Sequence, residues 1–123
     1  MRGQRLFVRA IDSADHDAVR AFLSVHGRSH IPACGLLGKL LGELVAVLEM
    51  QITPDAVLIN DIVVKRELRR KRIGRVMLDE LEQIAAKIER QRLVIDEGSD
   101  AAEFLQRVGF QREGARWVRD VRQ

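Results

Sequence analysis

The sequence predicts an α/β (α+β) fold: a mixed sheet that starts as an antiparallel meander, continues through a parallel β-α-β crossover, and carries helices on both faces. Three observations predict it. Apolar runs at residues 36–41, 44–52 and 56–64 are separated by turns too short to hold a helix. The last of these runs is followed by a basic loop, a long amphipathic segment and a second short apolar run at residues 92–96, and parallel strands need a crossover of that kind. Hydrophobic residues make up 46% of the 123 residues, which suits a packed interior and a single domain spanning residues 1–123.

The elements follow in order. Residues 5–11 (RLFVRAI) alternate apolar and basic side chains, as a strand with one solvated face does. Asp12-Ser13-Ala14-Asp15 supplies helix-capping groups. Ala18, Val19, Phe22 and Leu23 then form an apolar stripe to about His26, and Gly27 stops the helix. Residues 27–35 (GRSHIPACG) contain Pro32 between glycines and read as irregular. The strands 36–41 and 44–52 form a hairpin turning at Gly42-Glu43, and Thr53-Pro54-Asp55 is the next turn.

Residues 57–64 are β-branched and dense, interrupted only by Asn60 and Asp61, as in a strand buried on both faces. Ile73, Met77, Leu81, Ile84 and Ile88 recur at helical spacing. After the strand at 92–96, Gly98 breaks the chain, and Ser99 or Asp100 caps a helix to about Val108. Strands at 110–112 and 116–121 close the fold around a turn at Glu113-Gly114.

The basic loop between strand and helix holds Lys65, Arg66, Arg69, Arg70, Lys71, Arg72 and Arg75. The first turn of a helix has backbone N–H groups without intrahelical partners and a partial positive charge. A phosphate can take both. Gly74 offers an approach to the backbone, and the arginines add charge and forked donors.

Composition narrows the partners. The net charge is only +3 and aromatic residues are 4%, which leaves little for base stacking and ranks a nucleic-acid ligand low. Cys34 is the only cysteine, so no intrachain disulfide forms. No apolar run is long enough for a membrane span or a signal peptide, and the expected location is cytoplasmic. His26, His30 and Cys34 are spaced four apart, but Gly27 and Pro32 break the helix that would align them, so no metal is expected.

Arg69-Arg70-Lys71-Arg72-Ile73-Gly74 resembles the acyl-CoA pyrophosphate loop of the GNAT N-acetyltransferases: Arg or Gln, two free positions, Gly, one free position, then Gly or Ala. Arg69, Ile73 and Gly74 match, and Arg72 stands where that family usually has Gly. Residues 101–110 resemble a second signature, a helix ending in Gly109-Phe110, with Leu105 where the family commonly has Tyr. The chain thus looks like a short GNAT member with a GNAT-like mixed sheet.

The resemblance implies an acetyl-CoA-dependent N-acetyltransferase that moves an acetyl group to an amine of a small molecule or protein. It places the backbone of Ile62, Val63 and Val64 beside the acetyl carbonyl and pantetheine arm. It places Arg69, Arg70, Lys71, Arg72, Ile73, Gly74 and Arg75 at the pyrophosphate. Asp61 is the nearest acid on that strand and the candidate general base, ahead of Glu49 and Asp96. Tyrosine is absent, so the usual acid toward the leaving thiolate is missing. That absence supports an alternative: a catalytically weak GNAT-fold protein that binds CoA or acetyl-CoA and regulates a partner protein. Trp117 is expected in the core or in a homodimer interface.

Overall fold

A computed structural model describes residues 5–69, 72–96 and 102–122. The strands are β1 (Phe7–Ala10), β2 (Gly35–Leu40), β3 (Glu43–Ile52), β4 (Ala56–Val64), β5 (Arg92–Asp96), β6 (Gln111–Glu113) and β7 (Arg116–Asp120). The helices are α1 (His16–Val25), α2 (Ile73–Lys87) and α3 (Ala102–Arg107). The strands form one mixed sheet in the order β1-β2-β3-β4-β5-β7-β6, in which β4 and β5 are parallel and the other pairs antiparallel.

Each face has its own apolar layer. Met77, Leu78, Leu81 and Ala85 of α2 and Leu105 of α3 pack with Leu36, Leu48, Val57 and Leu93. Val19 and Leu23 of α1 pack on the other face with Leu37, Val47 and Val63. Removing side chains of this size from water is what stabilises the sandwich, by about 1.5–3 kcal/mol each.

Several expectations shift in detail. The β2–β3 turn is Leu41-Gly42, not Gly42-Glu43, because Leu40 and Glu43 already pair. Both turn residues have positive φ, 53° and 82°, which is the type I′ geometry that matches strand twist. The described part of α3 starts at Ala102; Gly98, Ser99, Asp100 and Ala101 lie outside the described residues. Trp117 is buried in the core, with the Arg112 guanidinium 5.9 Å from its ring centre. Arg119 is mostly buried and reaches Glu82 at 2.6 Å and Asp79 at 3.0 Å. It ties the last strand to α2.

Among the described residues no helix is long and apolar enough to cross a membrane.

Candidate active site where two strands part

β4 and β5 pair only from Ala56 opposite Arg92 to Ile59 opposite Ile95. β4 continues to Val64, still paired with β3. Among the described residues, 60–64 therefore have β3 on one side and no strand paired on the other.

The parting begins at a bulge. Met50 faces Ile59 and Glu49 faces Asp61, so Asn60 is an extra residue with no partner opposite. An inserted residue bends a strand and reverses which face its side chains take. Before the bulge, Val57 and Ile59 point into the α2 layer; after it, Ile62 and Val64 do. Val63 turns to the α1 layer.

Backbone polar groups alternate between the two edges of a strand. Lys65 N–H donates to Val45 O at 2.8 Å, toward β3. By that alternation the N–H groups of Ile62 and Val64 aim at the unpaired edge. Arg69 Nε donates to Val64 O there, at 3.4 Å.

The loop beyond β4 makes a 3-10 turn at Arg66–Leu68 and an extended step at Arg69. Arg70 and Lys71 lie outside the described residues. Arg72 is the N-cap of α2 and is left-handed, with φ 66° and ψ 13°. That conformation crowds a Cβ, and it accounts for the glycine usual at this position of the loop pattern. The helix start has no side-chain cap and no acid in its first turn. Among the described residues its first N–H groups thus have no side-chain acceptor, while the exposed Arg69, Arg72 and Arg75 bring positive charge. The arrangement fits an anion.

Gly74 was expected to open the backbone to a phosphate, but its bare side meets α3 instead. A Cβ built there would lie 3.2 Å from Phe104 Cζ. The missing side chain lets the phenyl ring close on the start of α2.

On the α1 face, Glu49 and Asp61 stand opposite each other across β3 and β4. Two residues from the irregular segment after α1 hold them. Arg28 donates through Nε to Asp61 Oδ2 at 2.8 Å and through Nη2 to Oδ1 at 3.0 Å. The hydrogen bond to Asp61 raises the Arg28 pKa further, keeping the guanidinium charged. His30 Nε2 lies 3.0 Å from Glu49 Oε1. Beneath these pairs Leu23, Pro32, Val47 and Val63 line a small pocket with room for about one water molecule.

Arg28 and His30 were not singled out for this site from the sequence, since residues 27–35 follow no period that would place them. The remaining candidate base, Asp96, pairs with Arg116 at 3.2 Å. Leu105, at the position of the family's tyrosine, is buried in the α2 layer. His26 caps α1 through Phe22 O at 2.9 Å and Cys34 packs against the core, so these two and His30 have separate surroundings.

The sequence model of the acetyltransferase (GNAT) family matches residues 3–110. The chain belongs to the GNAT family. Solved GNAT-fold structures agree in architecture. Ard1 from Thermoplasma volcanium superimposes with a TM-score of 0.76 at 12% identity, covering 96% of this chain and 99% of that one. The ribosomal-protein-S18-alanine N-acetyltransferase of Escherichia coli gives 0.76 at 14% identity, covering 97% and 96%. N-acetylglutamate synthase from Neisseria gonorrhoeae, complexed with coenzyme A and N-acetyl-glutamate, gives 0.79 at 16% identity; this GNAT chain covers 36% of it and is itself 97% covered. At these identities the likeness is one of fold. Comparison with curated proteins gave no match.

Proposed function

We propose that this GNAT protein transfers an acetyl group from acetyl-CoA to an amine. The observation that carries the reading is the parting of β4 from β5 at the Asn60 bulge, directly before a helix start with no acid in its first turn. An extended pantetheine arm can add to the unpaired edge as a strand does. The pyrophosphate would sit on the N–H groups of Arg72, Ile73, Gly74 and Arg75, with Arg69, Arg70, Lys71 and Arg72 supplying charge.

The backbone N–H of Ile62, or of Val64, would polarise the acetyl carbonyl, with Val63 holding the strand between them. The acceptor must arrive as a neutral amine. Asp61 is the proposed base and takes the surplus proton of an ammonium. The amine nitrogen then bonds to the acetyl carbon as the carbon–sulfur bond breaks. The sulfur leaves with the bonding pair as a thiolate, and the proton the nitrogen sheds goes to solvent. With Leu105 buried, the thiolate is protonated by water.

Release of CoA thiol that depends on both acetyl-CoA and an added amine tests this reading. No saturable binding of acetyl-CoA to the purified protein contradicts it.

A second reading, a protein that binds CoA and regulates a partner, is favoured by Leu105 lying in the core and by Asp61 being held by Arg28. Tight acetyl-CoA binding without thiol release across a broad amine panel would select it.

A further inference from the structure

Arg28 takes one acceptor site on each Asp61 oxygen and sets a positive charge where an incoming ammonium would have to stand. Something must draw Arg28 away first. Resting on the transferase reading above, we propose that the acceptor supplies this itself: it is a small molecule with a carboxylate next to its amine, such as a free α-amino acid. Its carboxylate takes Arg28, and its ammonium takes the place Arg28 leaves on Asp61.

The charge arrangement argues for a zwitterion over either single charge. The two acids, Glu49 and Asp61, are neighbours on adjacent strands, and each has a basic partner from residues 27–35. A plain amine entering between Arg28 and Asp61 would set its own positive charge beside a guanidinium stripped of its acceptor. A plain carboxylate would take Arg28 and leave Asp61 facing Glu49 without its basic partner, which is unfavourable. A zwitterion replaces each broken bond with one of the same sign and kind. Arg28 is also suited to the task, because its planar fork matches a carboxylate bidentately, as it already does with Asp61.

The space beneath has room for about one water molecule, so an acceptor enters only as Arg28 moves. The pocket floor of Leu23, Pro32, Val47 and Val63 is apolar, and Arg28, His30, Glu49 and Asp61 line the rest of it. Swinging Arg28 outward opens it at Asp61, one residue from Ile62, whose N–H faces the unpaired edge. Arg28 is therefore a specificity-determining residue: it masks the base until an acceptor with its own carboxylate arrives.

The test compares the common L-α-amino acids with the decarboxylated amine of each, by CoA thiol release, in wild type, Arg28→Gln and Arg28→Lys. Acetyl-CoA binding is measured alongside by calorimetry. At least one amino acid should exceed its decarboxylated amine in kcat/KM by about 100-fold in wild type. In Arg28→Gln that preference should collapse, chiefly through a higher KM for the amino acid, with Arg28→Lys between. Amines turned over as well as amino acids, a preference unchanged in Arg28→Gln, or turnover confined to peptide amino termini would overturn the proposal. If acetyl-CoA binds and neither class releases thiol, the proposal falls while CoA binding stands. If acetyl-CoA does not bind, the transferase reading falls. The zwitterion site is then decided by thermal shift of the free protein with the same amino acids: a saturable shift lost in Arg28→Gln supports it, and no shift overturns it.

Discussion

Glu49 and Asp61 face each other directly across β3 and β4, and neither is neutralised from within the sheet: their partners are His30 and Arg28, from the segment after α1. Like charges in that position destabilise a strand pair. The Arg28–Asp61 ion pair and the His30–Glu49 contact therefore also clamp an irregular segment onto the sheet. Arg28→Ala should destabilise the fold by about 1 kcal/mol, a charged hydrogen-bonded pair discounted for exposure. Adding Asp61→Asn should restore most of it. Urea midpoints of the single and double variants check this, and a double variant no more stable than Arg28→Ala contradicts it.

Arg72 holds a left-handed backbone at the N-cap of α2, with φ 66°. Such a conformation costs a residue with a Cβ about 1–2 kcal/mol, partly offset because glycine loses more chain entropy on folding. Arg72→Gly should raise stability by about 0.5–1 kcal/mol. Arg72→Ala keeps the Cβ and should show no such gain. Denaturant unfolding of the pair distinguishes strain relief from mere loss of charge.

At Gly74 two effects oppose each other. Alanine is a better helix former by about 1 kcal/mol, but its Cβ would press on Phe104 at 3.2 Å. Gly74→Ala alone should be close to neutral. In a Phe104→Leu background the same change should stabilise by about 1 kcal/mol, because the ring edge no longer stands in the way. Additive behaviour in that cycle would show that Phe104 does not set the size limit at position 74.

Much of this was legible in the sequence, for physical reasons that differ along the chain. The period of Ile73, Met77 and Leu81 marked the buried face of α2, while Ile84 and Ile88 of the same series are only half-buried. Thr53-Pro54-Asp55 marked the turn before β4, and Thr53 Oγ1 indeed accepts from Ala56 N at 3.1 Å. The bulge was not legible: the run 57–64 reads as one strand buried on both faces, and only the structure puts Val57 and Ile59 on one face with Ile62 and Val64. The pairs on the α1 face left no trace either. Arg28 and His30 reach their carboxylates through long-range pairs, and residues 27–35 have neither helical nor strand period to announce their direction. Phe104 against Gly74 was hidden for a related reason, being a contact between two helices rather than within one.

The acid limb of the stability profile should trace to Asp15. Both its oxygens accept from Arg9, at 2.7 and 2.6 Å, and one also accepts from Asp12 N–H at 2.8 Å. Arg9 first, and then the Asp12 N–H, hold its carboxyl well below the usual carboxylate range. A lowered folded pKa stabilises the fold above the unfolded value of about 3.9, and that contribution is lost as pH falls from there toward the folded value. Asp15→Asn should be less stable than wild type at pH 7 and lose less between pH 5 and pH 2. Thermal unfolding at a series of pH values reads this directly, and parallel profiles would exclude Asp15 as the source.

The most direct test of the central claim is a calorimetric titration with acetyl-CoA of wild type and of Arg69→Glu/Arg72→Glu, with circular dichroism confirming that both are folded. Wild type should bind saturably at one site per chain, and the variant about 100-fold or more weaker, since two proposed charge-assisted phosphate contacts are reversed in sign. Equal binding by both proteins, or none by wild type, would contradict the assignment of the β4 edge and the α2 start as the acyl-CoA site.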